Sequence, residues 1–440
     1  MGVLELVIRG AHLVDPASGV DGRRDIALAG GRVVAIEPSL DPGTAAVIDA
    51  GGLHAFPGLI DVHVHLREPG YEYKETVATG TRAAAAGGFT AVACMPNTNP
   101  VNDNAEVTRY ILEKARSGGL CRVYPVGAVS KGLKGEDLSE MGELAEAGCV
   151  AVTDDGRPVS SSLLMRRALE YAKGFGLTVV SHCEDLELAA GGCMNEGLTS
   201  AYLGLPAQPA EAEEVQVVRD LLLLRRTGGR LHLAHLSTRG SVEFLRWGKR
   251  LGLAVTGETA PHYFTLTDDA VRGFDTRFKM NPPLREIADV EGVQKAVARG
   301  VVDAIATDHA PHAADEKELE FEAAANGVVG LETSLALSLR LVHEGVAPLH
   351  RVVAALTWGP ARALGLPGGT LAPGAPADLV LVDLEAEQVV DPARFYSKAR
   401  NCPFTGMKLK GRVVRTLVGG KTVYLDGRVA AENLDTGEIR

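Results

Sequence analysis

Eight short apolar runs, each ending in polar residues and interleaved with helical stretches, constrain this chain more than any other feature. They fall at 59–65, 89–96, 122–129, 149–155, 177–183, 230–236, 253–259 and 302–308. Between them, segments such as 105–116, 163–174, 215–226, 241–251 and 331–344 place apolar residues at helical spacing and often close on Gly. Strands that alternate with helices in this way pair in parallel through right-handed crossovers. Eight of them predict an α/β chain built on a (β/α)8 TIM-like barrel, with a doubly wound open sheet as the alternative.

The two ends read differently. Short alternating runs with Gly and Asp turns occur at 6–14, 25–37 and 46–50, and again at 378–383, 412–418 and 421–425. Pro57-Gly58, Pro367-Gly368-Gly369 and Pro373-Gly374 mark the seams. Neither end is long enough to build a sheet core by itself. The expectation is that 1–57 and 366–440 pair into one small β-sandwich domain, with a barrel of residues 58–365 inserted between them.

A net charge of −11 argues against nucleic acid and against an anionic membrane as partners. No apolar stretch reaches spanning length, and Met1-Gly-Val-Leu-Glu5 lacks the charged and apolar regions of a signal peptide. The six cysteines, at 94, 121, 149, 183, 193 and 402, form no CxxC pair and read as buried thiols. A cytoplasmic location is expected.

In a barrel the C-terminal ends of all strands meet on one face, where active sites sit. Those ends carry His63 and His65, Asn97, Asp154 and Asp155, His182, His235, and Asp308 with His312 beyond it. Strand alternation puts His63 and His65 on one face, with Ile60, Val62 and Val64 on the other. Four histidines and at least two carboxylates on one rim suit one or two divalent ions, imidazole favouring zinc. Histidines held by hydrogen bonds within the core are the alternative for each taken singly.

Pro57-Gly-Leu-Ile-Asp-Val-His-Val-His-Leu-Arg-Glu-Pro-Gly70 resembles the first-strand signature of the amidohydrolase superfamily, and more narrowly that of type I dihydroorotases. Cys94-Met-Pro-Asn-Thr-Asn-Pro100, Thr153-Asp-Asp-Gly156, Ser181-His-Cys-Glu-Asp185, Ala234-His-Leu-Ser-Thr238, Lys279-Met-Asn-Pro-Pro-Leu-Arg285 and Ala306-Thr-Asp-His-Ala-Pro-His312 resemble the remaining motifs, in order. The resemblance implies that His63, His65, Asp155, His182 and His235 are metal ligands and that Asp308 is both ligand and proton shuttle. It selects Asp155 over Asp154, which alternation leaves open at a strand end. It further implies a substrate-carboxylate clamp of Arg67, Asn97 and His312, with Asn281 and the Asn326-Gly327 backbone on the ring. A planar guanidinium such as Arg67 suits a carboxylate, which it binds bidentately. No role is assigned to His262, and His232 is expected to face away from His235.

The implied reaction is the reversible cyclisation of N-carbamoyl-L-aspartate to L-dihydroorotate and water in pyrimidine synthesis. It would use one or two Zn2+ ions per subunit, a metal-activated water as nucleophile and Asp308 as general base then acid. A homodimer and a complex with aspartate carbamoyltransferase are the implied assemblies. An allantoinase- or dihydropyrimidinase-like cyclic amidase is the nearest rival. Hydantoinases of that branch bridge two metals with a carbamylated lysine on the fourth strand, and 149–156 contains no lysine. A non-catalytic partner of aspartate carbamoyltransferase is a rival of another class, one that would lack ligands present here.

Overall fold

The structure, a computed structural model, describes residues 4–430. Residues 1–3 and 431–440, the outermost parts of the expected composite β domain, lie outside the described residues. Eight parallel strands stand side by side in chain order: Leu59–Val64, Phe89–Cys94, Arg122–Gly127, Ala151–Val152, Thr178–Ser181, Leu231–Leu233, Val255–Thr259 and Ala304–Ile305. Helices follow the strands and cover the outside, as expected of a (β/α)8 barrel. Their ends follow local chemistry. Asn104 caps Ala105–Gly118 by accepting from the backbone N–H groups of Glu106 and Val107. Glu211–Thr227 opens on Glu211, Glu213 and Glu214 and closes on Arg225 and Arg226, charges that complement its dipole.

The first and last strands do not share a continuous ladder. A single bridge joins Val64 to His309, and the His65 N–H donates to the His309 carbonyl at 2.8 Å. The Asp61 carboxylate closes the rest of the seam by accepting the Thr307 N–H at 3.2 and 3.3 Å and the His63 N–H at 3.1 Å. Burial pushes the Asp61 carboxyl up to about 7 even though these donors favour its charged form.

One expectation of alternation fails at the first strand. Its register against the second strand slips between Asp61 and Val64, where one extra residue is accommodated. Ile60 and Val62 therefore pack inside the barrel with Ala91, Ala93, Val126, Ala151, Val180, Ala234 and Ala304. Val64 joins the outer layer, beside Leu66 and Val77. The slip reverses side-chain parity, so His63 and His65 point inward above Ile60 and Val62 instead of opposite them. Ala361, Leu364 and Leu366 close the other end of this inner column.

The N- and C-terminal strands form one nine-stranded sheet, joined where His54–Pro57 pairs antiparallel with Leu379–Val389. Its core is Ile8, Leu13, Ile26, Leu28, Leu379, Leu381 and Leu417. Arg122 ties this sheet to the barrel through two bonds to Asp378, at 2.7 and 3.0 Å. An insertion after the fifth barrel strand adds a short parallel pair, Met194–Asn195 with Ala207–Gln208, that no sequence signal announced. No described helix is long and apolar enough to cross a membrane.

Candidate metal centre

The inward column ends in polar side chains just above the small apolar layer. On the fourth strand, Ala151 faces inward and Val152 outward, so Asp155 returns to the inside. Asp154 turns away, bonding the Ser130 hydroxyl and, at 2.9 Å, the Ser130 N–H. Asp155 becomes the hub of the site. Its Oδ1 lies 3.3, 3.5 and 3.6 Å from His63 Nε2, His182 Nδ1 and His235 Nε2, and its Oδ2 lies 3.5 Å from His65 Nε2. Two triads result, His63–His65–Asp155 and Asp155–His182–His235, each with donor atoms within 4.8 Å of one another.

The donors fit a divalent cation. His63 Nε2 and His235 Nδ1 are buried ring nitrogens with no hydrogen-bond partner, a costly arrangement unless something else accepts their lone pairs. A carboxylate and an amide fix two of the rings. His63 Nδ1 is 2.7 Å from Glu258 Oε1, and His65 Nδ1 is 2.9 Å from the Asn97 side-chain oxygen. Carboxylate or carbonyl support at the far nitrogen is how metal-ligating imidazoles are oriented. His182 Nε2 contacts Glu184 at 3.0 Å, while its Nδ1 lies 2.8 Å from His235 Nε2. The set of four imidazoles and one carboxylate suits zinc among the common divalent ions.

Electrostatics point the same way. Burial pushes the Asp155 carboxyl up, but His63, His182 and His235 together hold it well below the usual range. Burial pushes His63 down, and Asp155 and Glu258 more than reverse this, so it rises well above an ordinary histidine. The buried carboxylates Asp155 and Glu258 are thus balanced by histidines alone, with no lysine or arginine at ion-pair distance among the described residues.

Asp308 belongs to neither triad but stands beside the first, its Oδ1 3.2 Å from His65 Nε2 and 3.7 Å from His63 Nε2. Burial pushes its carboxyl up, but His65 and the charges of His63 and His235 win and keep it ionised. Backbone strain gathers here. Six described non-glycine residues have positive φ, and three are Arg67 (62°), His235 (33°) and Asp308 (47°). Each costs about 1–3 kcal/mol and persists where the surroundings impose it, commonly at functional sites.

A cavity of about 220 Å³ opens over this cluster. Its wall includes His65, Arg67, Asn97, Asp155, His182, His235, Asn281, Asp308, His312, Asn326 and Gly327, with His63 fully buried behind them. All twelve residues singled out in the sequence therefore come together. A larger cleft, about 820 Å³, lies between Ser334–His343 and the C-terminal strands, remote from both triads. Donor chemistry, and not size, selects the site.

Arg67 is anchored by Nε to the Pro311 carbonyl at 3.2 Å and finds no carboxylate at ion-pair distance among the described residues. His312 donates Nε2–H to the Asn326 carbonyl at 2.8 Å. Burial, with Arg67 and Lys74 nearby, lowers its pKa to about 3, so it is neutral. Gly327 has φ of 129°, and a Cβ there would meet Ala310 Cβ at 2.7 Å. Glycine lets this loop approach the cavity. Asn281 donates to Glu184 at 3.0 Å.

Sequence reasoning missed the supporting layer. Glu258 is fully buried and serves His63, His232 Nε2 at 3.0 Å and the His235 N–H at 3.2 Å. A glutamate inside the apolar run 253–259 was the available signal. His232 points inward to Glu258 and Thr256 instead of facing away. The positive φ at His235 turns that residue back toward the site and defeats the alternation argument. Glu258→Gln is expected to weaken metal affinity about 10–100-fold, because it removes the charge behind His63. Competition against a chelator measures this, and unchanged affinity would show that Glu258 only fills space.

The chain matches two family models: the dihydro-orotase-like family over residues 53–241 and the amidohydrolase family over 268–424. A dihydroorotase of Anaeromyxobacter sp. (strain K) is 56% identical over 426 residues, covering 96% of this chain and 98% of the relative. A dihydroorotase of Syntrophotalea carbinolica is 54% identical over 421 residues, covering 96% and 99%. Among solved structures, the L-hydantoinase (dihydropyrimidinase) of Arthrobacter aurescens superposes with a TM-score of 0.88 at 27% identity, covering 97% of this chain and 98% of the other. The D-hydantoinase (dihydropyrimidinase) of a Thermus species gives 0.82 at 27% identity, covering 97% of each.

Proposed function

The chain belongs to the dihydroorotase family of amidohydrolases, and on that premise we propose that it is a type I, zinc-dependent dihydroorotase. It is a hydrolase of a cyclic amide, interconverting N-carbamoyl-L-aspartate and L-dihydroorotate in pyrimidine synthesis. One observation carries the finer reading: Asp155 is shared by two histidine triads beside an arginine without a carboxylate partner. A carboxylate at the shared position, with no lysine in 149–156, supports the type I assignment.

His63, His65, Asp155, His182 and His235 would hold one or two zinc ions, with Asp308 as a further ligand. When bound, such an ion supplies Lewis-acid polarisation of the reacting carbonyl and activation of water. The protein's own groups do the rest. Asp308, ionised and at the cavity wall, accepts a proton from the attacking water and delivers it to the departing ring nitrogen. Arg67 binds the substrate carboxylate, flanked by Asn97 and neutral His312. Asn281 and the backbone at Asn326 and Gly327 bound the ring.

The proposal extends to organisation: 1–57 with 366–440 as one composite β domain, 58–365 as the hydrolase barrel, a cytoplasmic setting in keeping with six free cysteines, and a homodimer able to join aspartate carbamoyltransferase. Leu198 and Tyr202, 87% and 80% exposed, are apolar side chains such contacts would cover.

The structural similarity to hydantoinases favours a second reading, a cyclic amidase for uncharged imides. Arg67→Met separates the two. With zinc content checked by elemental analysis, the substitution is expected to lower kcat/KM for dihydroorotate roughly 10–100-fold, the value of a hydrogen bond to a charged group. Hydrolysis of an uncharged cyclic imide should change little. Equal losses on both substrates, or no dihydroorotate turnover by the zinc-loaded unmutated protein, overturn the proposal.

A further inference from the structure

The segment 322–327 has no regular secondary structure, yet four of its six carbonyls are held by buried side chains. Lys279 Nζ donates to the carbonyls of Glu322 and Ala324, both at 2.7 Å. Lys317 Nζ donates to those of Ala325 at 2.7 Å, Gly327 at 3.2 Å and Lys279 at 3.3 Å. Asn401 Nδ2 adds bonds to the Gly327 and Ala310 carbonyls, both at 3.0 Å. Lys279, Lys317 and Asn401 are 5%, 7% and 5% exposed, and neither lysine has a carboxylate at ion-pair distance among the described residues. Three carbonyls on one Nζ match the three N–H groups of an ammonium. Burial lowers the pKa of both lysines, Lys317 to about 7, and only backbone dipoles hold their protons in place, an expensive arrangement to keep for a surface loop.

The consequence lies on the other side of the peptide planes. A trans peptide points its C=O and N–H in opposite directions. With the Ala325 carbonyl fixed on Lys317, the Asn326 N–H points away from the lysine, and it finds no acceptor among the described residues. The Asn326 carbonyl is taken by His312 and the Gly327 N–H by the Lys279 carbonyl at 3.0 Å, so Asn326 N–H is the donor left over where the loop lines the cavity.

We infer that Lys317, assisted by Lys279 and Asn401, is a positioning residue that fixes the Asn326 N–H as a donor to an oxygen of the anionic substrate. The inference rests on the proposed reading of the site, and its action is on binding. An interaction made equally with bound substrate and transition state raises KM on removal without lowering kcat.

The test uses the zinc-loaded full chain with dihydroorotate. Lys317→Met is expected to raise KM by about 10-fold or more while kcat falls less than about threefold, with zinc content unchanged. Lys317→Gln, which keeps two N–H donors on a shorter side chain, should lie between. Amide hydrogen exchange on the unmutated enzyme supplies an arm free of folding effects: the Asn326 amide should become protected when substrate or a carboxylate analogue is added. KM unchanged in both variants, kcat and zinc content falling together, or Asn326 exchange unaffected by substrate each overturn the inference. Absence of turnover by the unmutated zinc-loaded enzyme would instead refute the site reading on which it stands.

Discussion

Asp308→Ala is expected to lower dihydroorotate turnover by roughly 10³–10⁴-fold, near the upper range for loss of a positioned general acid–base. Zinc should remain bound through the histidines and Asp155. The expectation follows from where Asp308 stands. It touches His65 at 3.2 Å, yet the two donor triads are complete without it. Chemistry and metal retention should therefore separate. Its φ of 47° means that alanine, without the short polar side chain that lets aspartate hold the left-handed region, adds strain at that position and shifts the loop. Asp308→Asn controls for this, because asparagine tolerates the left-handed region and keeps the shape while losing the basic carboxylate. Both variants should be inactive, and the asparagine variant should keep the unmutated zinc content. Near-normal turnover in either would remove Asp308 from the proton path.

How much of this was legible without coordinates depends on scale. Alternation of apolar runs with helical segments named the barrel, because each run has to be buried on both faces between helices and the inner column. The strand-end rule then named the candidates: His182 follows Ser181 and faces inward as parity requires, while Asp155 was chosen over Asp154 by the family resemblance alone. Parity failed where single residues bend the chain. The register slip between Asp61 and Val64 and the positive φ at His235 are one-residue events that an average period does not register. The layer behind the ligands was hidden for another reason. Glu258 meets His63 across 195 positions, a contact set by barrel closure and by nothing local. The lysine-held loop is equally non-local: Lys279 and Glu322 are 43 positions apart.

Asp155→Asn should have the largest effect on the metal centre, and the contrast with His63→Ala tests whether the centre has one hub. Asp155 is the only residue present in both triads. Its two oxygens reach His63, His182 and His235 from one side and His65 from the other. Asparagine offers one carbonyl oxygen and one NH2 in the same shape, so at best one half of the site keeps an oxygen donor and neither keeps the charge. Losing that charge leaves four imidazoles facing a dication with no carboxylate between them, an environment that repels a second ion at close range. Zinc per chain is expected to fall below one, and turnover to fall at least about 10³-fold, since Lewis-acid stabilisation is worth several kcal/mol. His63→Ala removes a member of one triad only and leaves His182, His235 and Asp155 intact. It should therefore keep more zinc than Asp155→Asn at the same free-zinc concentration. If His63→Ala instead loses zinc as completely as Asp155→Asn, the two triads do not behave as separable halves around a shared carboxylate. The centre would then be a single ion site in which Asp155 is one ligand among equals.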